Sequence, residues 1–138
     1  MVGETLYLVE RDRYREIWKE LYPSWPWTGK TYHQLIVHEV AHKAHELIAI
    51  SRTGSPDGMG PSWFFEGLAA VCAGQFDEGE PPMSWDEIEA LVGGGRTPRV
   101  SYPLYGRLVR SLAASHDLKE LIVRAPEPGF PDTLAGKP

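Results

Sequence analysis

Two histidines four residues apart, His38 and His42, sit within an apolar three-four rhythm that runs from residue 32 to 48. Tyr32, Leu35, Ile36, Val40, Ala44, Leu47 and Ile48 recur at helical spacing, which predicts a helix there. Thr31 with Gln34 fits a capping box at its start, and Ser51-Arg52-Thr53-Gly54-Ser55-Pro56 ends it. At 3.6 residues per turn, positions i and i+4 share one helix face. Any fold of this chain must therefore bring both rings to one spot on one rigid element, at the edge of its apolar stripe. Glu39 follows about 100° round the helix from the first of them.

Together these residues spell H-E-x-x-H, His38-Glu39-Val40-Ala41-His42. With five His and 13 Glu in 138 residues, the pattern arises by chance about two times in a hundred, so context has to carry weight. One histidine on such a stripe reads as a hydrogen-bonded core residue; two on one face with Glu between them read as metal ligands with a general base. A catalytic zinc usually takes three protein ligands and keeps one position open. The third is sought in Pro61-Ser62-Trp63-Phe64-Phe65-Glu66-Gly67-Leu68-Ala69-Ala70-Val71, where Ser62 fits an N-cap and Trp63 to Gly74 reads as an apolar helix. Glu66 is its only charged side chain. A carboxylate there is costly to bury unless something pairs with it. Ligation of a metal would pair it, whereas a place in solvent near the helix N-terminus is the plainer reading.

His38-Glu39-x-x-His42 followed by Pro61-x-Trp63-x-x-Glu66-Gly67-Leu68-Ala69 resembles the gluzincin metallopeptidases, and more narrowly the peptidase MA-like group with its W-x-x-E-G-L-A signature. The match covers about residues 32 to 72, with a looser extension to 124. The resemblance implies one Zn2+ per chain held by His38, His42 and Glu66, with Glu39 as base. It also implies a tyrosine near the start of a later helix that steadies the oxyanion, mapped to Tyr102 with Tyr105 as the rival. For both tyrosines the alternative is a buried ring with a wet hydroxyl. The implied fold is α+β, predominantly helical, a minimal zincin-like domain with a small sheet. Thr5-Leu6-Tyr7-Leu8-Val9 is the one clear strand. Where some gluzincins carry an Asp four residues after the ligand Glu, this chain has Ala70, so another group must orient a ligating His. A backbone carbonyl or Glu46 could serve, although Glu46 also fits a solvated surface position.

Other zinc architectures fit less well. The metzincin pattern H-E-x-x-H-x-x-G-x-x-H fails, since residues 45 and 48 are His and Ile. A deformylase-like site places a Cys ligand before the motif, and Cys72, the single Cys, lies after it and reads as a small buried residue. His45 could line the cleft but reads better as a surface residue beside Lys43 and Glu46, His33 points elsewhere, and His116 could stabilise a transition state but better fits a capping or surface role. The expected chemistry is peptide-bond hydrolysis: zinc acidifies a water and polarises the carbonyl, Glu39 takes the proton and later passes it to the leaving amine. Tyr102 or Tyr105 would supply a donor to the oxyanion. Two rivals stand beside this: a catalytically weak or inactive domain serving as a regulatory or interaction module, and a purely structural zinc.

The net charge of −5 and the absence of a basic stripe argue against nucleic acid as partner, leaving a peptide or protein substrate. One Cys excludes an intrachain disulfide. No apolar stretch reaches the length of a membrane span and no signal-peptide core is seen, so the chain is expected to be soluble, and cytoplasmic if it is full length. Residues 1–124 are expected to form the zincin-like domain. Its further helices are expected near 11–22, 84–92, 102–115 and 117–124, with Ser84-x-x-Glu87 as a capping box and the aromatic turn 22–27 as core edge or cleft wall. The Pro-rich tail 125–138 is expected to be extended or disordered.

Overall fold

The periodic segments form helices close to where their patterns place them. The computed structural model describes residues 7–135. In chain order it contains α1 (Arg11–Leu21), α2 (Thr31–Thr53), α3 (Ser62–Ala73), α4 (Trp85–Val92), α5 (Tyr102–Ala113) and α6 (Leu118–Arg124), with short 3₁₀ turns at Pro56–Met59, Gly93–Gly95 and Asp132–Ala135. No helix among the described residues is long and apolar enough to cross a membrane.

The helix ends follow local chemistry. Ser84 forms the expected capping box: its Oγ accepts from the Glu87 N–H at 3.2 Å, and Glu87 Oε2 accepts from the Ser84 N–H at 2.7 Å. Ser101 and Asp117 accept from Leu104 N–H and Lys119 N–H to start α5 and α6. The capping box expected at Thr31 does not form. Thr31 Oγ1 instead accepts from the Thr28 N–H at 2.8 Å, and Gln34 reaches out to the Gly74 carbonyl at 3.1 Å.

The expected α+β class with a small sheet is overturned: the described residues are helical and contain no strand. Of the segment Thr5–Val9, residues 5 and 6 lie outside the described residues, and 7–9 run irregularly into α1. The physical reason is the lack of a mate. A lone extended segment is not stable without a second strand to share its backbone hydrogen bonds, and the described residues contain no second strand. The Val9 carbonyl accepts from the Tyr32 hydroxyl at 2.8 Å instead.

The most apolar helix, α3, is central. One side packs on α5, building a core of Trp63, Phe64, Leu68, Tyr105, Leu108, Val109 and Leu112, closed by Ile88 and Val92 of α4 and Leu121 of α6. Its other side packs on α2. Gly67 permits the α3–α5 crossing: a Cβ there would run into the Tyr105 carbonyl and Val109. After α6 the chain turns back onto the core. Phe130 is buried and stacks on Trp63 with ring centroids 5.7 Å apart, and Pro131 is fully buried. The apolar residues the tail places at 130 and 131 give it core contacts that its proline content concealed.

A second, aromatic cluster lies between α1 and the end of α3. Trp18 stacks on Phe76 at 5.5 Å, and Tyr14, Tyr22, Trp25 and Trp27 pack round them. α2 is apolar on both sides. Its outward face carries Val40, Leu47 and Ile48, with Val40 52% exposed.

Candidate metal centre

Helices α2 and α3 run antiparallel. Gln34 bonds to Gly74, His42 lies against Glu66, and His45 packs on Phe64, so rising numbers on α2 meet falling numbers on α3. The pairing sets Glu66 opposite the two histidines one turn apart. Glu66 Oε2 is 3.1 Å from His38 Nε2 and 3.0 Å from His42 Nε2. The two rings stand edge to face with centroids 4.7 Å apart. His38 is buried, while His42 and Glu66 are partly exposed, so the cluster is sealed on the core side and open on the other.

The donor set suits zinc. Two imidazole nitrogens and one carboxylate oxygen lie within 4.8 Å of one another. Tetrahedral coordination at bond lengths of about 2.1 Å sets donor atoms roughly 3.4 Å apart. The spacings of 3.0 and 3.1 Å need open by only a few tenths of an ångström. The electrostatics agree. Burial alone would raise the Glu66 carboxyl, but hydrogen bonds from His38 and His42 outweigh it and hold its pKa near 2. Burial opposes charge on His38, yet contacts with Glu66 and Gln75 raise its pKa. The pocket thus favours an ionised carboxylate facing positive charge, which a divalent cation supplies without protonating the rings.

The surroundings sort the remaining sequence candidates. Glu39 lines a small cavity of about 140 Å³ together with His38, Gln75, Tyr14, Tyr22 and Tyr102. Tyr102 stacks on His38 with centroids 6.1 Å apart. Burial first, then Glu66 and Glu39, raise its pKa, so the hydroxyl keeps its proton and can donate. Tyr105, the rival, is 2% exposed and donates to the Pro98 carbonyl at 3.4 Å, away from the cluster. A larger open cavity of about 520 Å³, walled by Leu21, Tyr22, Trp25, Val100 and Tyr102, adjoins the smaller one through Leu21, Tyr22 and Tyr102.

Several residues lie elsewhere than expected. His45 is not at the surface but buried against Phe64 of α3, one turn beyond His42 on α2. Its pKa falls to about 4, through burial and then His42. Cys72, in the last turn of α3, is exposed and not buried as its sequence context suggests. Glu46 accepts from Lys43 at 3.3 Å rather than orienting a ligand. His116 sits beside the Ser115 hydroxyl at a helix end.

One site residue had no sequence signal. Gln75 is buried, with Oε1 2.7 Å from His38 Nδ1. It lies two residues past the end of α3, where only its place directly after the helix-stopping Gly74 could have drawn notice. No family model matches this sequence, and neither a curated protein nor a solved structure does, so the chemistry of the site itself carries the functional argument.

Proposed function

We propose that His38, His42 and Glu66 hold one zinc ion and that the chain is a zinc-dependent peptidase with Glu39 as general base. The observation that supports it most is the convergence of three ligand atoms from two helices, with a fourth, acid–base carboxylate on the wall of the adjoining cavity. Zinc bound there would acidify a water and polarise a carbonyl. Glu39 would accept the proton from that water and return it to the departing amine. Tyr102, protonated and within the same cavity, would donate to the developing oxyanion. The aromatic walls of Tyr14, Tyr22 and Phe76 would keep bulk water from the reacting groups.

The second reading, a zinc-holding module without turnover, draws support from the helical architecture. The described residues offer no strand edge on which a peptide could be laid. One experiment separates the two. Metal content is measured by mass spectrometry on wild type, Glu66→Ala and Glu39→Gln, and each protein is given a peptide library. Zinc at about one per chain in wild type and Glu39→Gln, reduced in Glu66→Ala, with cleavage by wild type alone, supports the peptidase. Zinc without cleavage by any of them leaves the module. No zinc in wild type, even after it is added back, removes both.

A further inference from the structure

A neutral imidazole that gives its Nε2 lone pair to a metal carries its proton on Nδ1. That proton needs an acceptor, which fixes both the tautomer and the ring angle. For His38 the acceptor is an amide oxygen, and the surroundings hold that amide in place. Gly74 takes the left-handed conformation (φ 67°) that ends α3. Its N–H bonds to the Val71 carbonyl and the Gln75 N–H to the Ala70 carbonyl at 2.9 Å, the paired bonds of a Schellman turn. From α5, Arg110 Nη1 donates to the Gln75 carbonyl at 3.2 Å and Nη2 to the Phe76 carbonyl at 3.0 Å. Phe76, in a left-handed conformation rare for a bulky residue (φ 58°), is held by its stack on Trp18. Both backbone polar groups of Gln75 are thus engaged, and its side chain, 4% exposed, ends 2.7 Å from His38 Nδ1.

We propose that Gln75 is the positioning residue for the zinc ligand His38, its side-chain carbonyl accepting the Nδ1 proton, and that Arg110 secures it by clamping the loop to α5. The inference rests on the zinc reading above. It also accounts for Ala70: the partner comes from the turn after α3 and not from α3 itself. An amide in this place leaves the ring less basic than a carboxylate would and adds no negative charge to a pocket that already holds Glu39 and Glu66.

The test is zinc affinity of the full chain, by competition with a chromophoric chelator, for wild type, Gln75→Met and Gln75→Glu. Thermal melts of the chelator-treated proteins are recorded beside it. Gln75→Met removes the acceptor at similar volume and is expected to weaken zinc by roughly 10- to 100-fold. Gln75→Glu supplies a stronger acceptor and is expected to tighten it several-fold. A merely structural role would move both variants the same way. Gln75→Met within twofold of wild type overturns the assignment, as does a folded Gln75→Glu that binds no tighter. Should Gln75→Met not fold, the Gln75→Glu comparison alone decides. Absence of zinc from wild type would instead take down the metal site itself, a distinct result.

Discussion

His45 gives a stability prediction whose sign and size follow from its surroundings. The ring is 3% exposed, and neither nitrogen has a hydrogen-bond partner. Its pKa is lowered from 6.5 to about 4 by burial and then by His42. The folded state therefore refuses a proton that the unfolded chain takes up below pH 6.5. Stability conferred by the neutral ring is complete above that pH and is lost as pH falls towards 4. Between pH 7.5 and 5 the loss from this one residue is about 2 kcal/mol. His45→Leu keeps the volume roughly and removes both the unpaired polar atoms and the titration. At pH 7.5 it is expected to stabilise by about 1 to 3 kcal/mol, the cost of burying unsatisfied polar groups. The advantage over wild type should then widen by about 2 kcal/mol at pH 5. Urea unfolding of the two chelator-treated proteins at the two pH values measures it. Glu66 and His38 also titrate, but they are common to both proteins and largely cancel in the difference. An advantage that stays constant with pH, or a variant less stable than wild type at pH 5, would refute the reasoning.

Gly67→Ala places a methyl against the Tyr105 carbonyl; despite alanine's better helix propensity it is expected to destabilise by about 1 to 3 kcal/mol or more, and a denaturation midpoint at or above wild type would show that α5 is not so close. Tyr102→Phe is expected to keep zinc content while lowering kcat by roughly 10²- to 10³-fold, the effect of losing one oxyanion donor. Tyr105→Phe, whose hydroxyl donates to the Pro98 carbonyl at 3.4 Å, should leave kcat within a few-fold; the reverse order would exchange their roles. Phe130→Ala removes a ring packed on both Trp63 and Phe64 and is expected to cost about 3 to 5 kcal/mol by urea unfolding, whereas a negligible change would mean that the tail contributes nothing to the core.

Helical periodicity carried most of the architecture, because each amphipathic pattern needs only its own residues to be read. The capping box at Ser84 was legible for the same reason, since its two bonds span three residues. Beyond Thr5–Val9 the sheet rests on the resemblance and not on the residues, and the described residues hold no second strand to support it. The three proposed ligand residues can be named from sequence because His38 and His42 share a helix face and Glu66 is the lone charge on an apolar helix. Gln75 could not, as it reaches His38 across 37 residues of chain through a turn whose geometry depends on Arg110. His45 was misplaced because its neighbours Lys43 and Glu46 suggest a wet surface, while burial is decided by α3, a partner the local pattern does not show.

The helical architecture of the described residues also constrains how a peptide could meet the proposed centre. Gaining affinity by adding a strand requires an exposed sheet edge, and the described residues have none. What adjoins the small cavity lined by Glu39 instead is the larger one between the aromatic turn and the start of α5. Its walls are Leu21, Tyr22, Pro23, Ser24, Trp25, Val100, Ser101, Tyr102 and Pro103, without a charged side chain among them. Leu21 and Val100 stand largely exposed at its sides. Under the peptidase reading, recognition would then rest on desolvating one apolar or aromatic side chain beside the scissile bond, with little contribution from the peptide main chain. Each methylene so buried is worth about 0.8 kcal/mol, so a phenylalanine or leucine at that position should be favoured over alanine by roughly tenfold or more in kcat/KM. Val100→Glu, which puts a charge at the cavity wall, should erase the preference without altering zinc content. A cleavage profile indifferent to side-chain size, in an enzyme that holds zinc and loses activity with Glu39→Gln, would mean that this cavity is not where substrate lies.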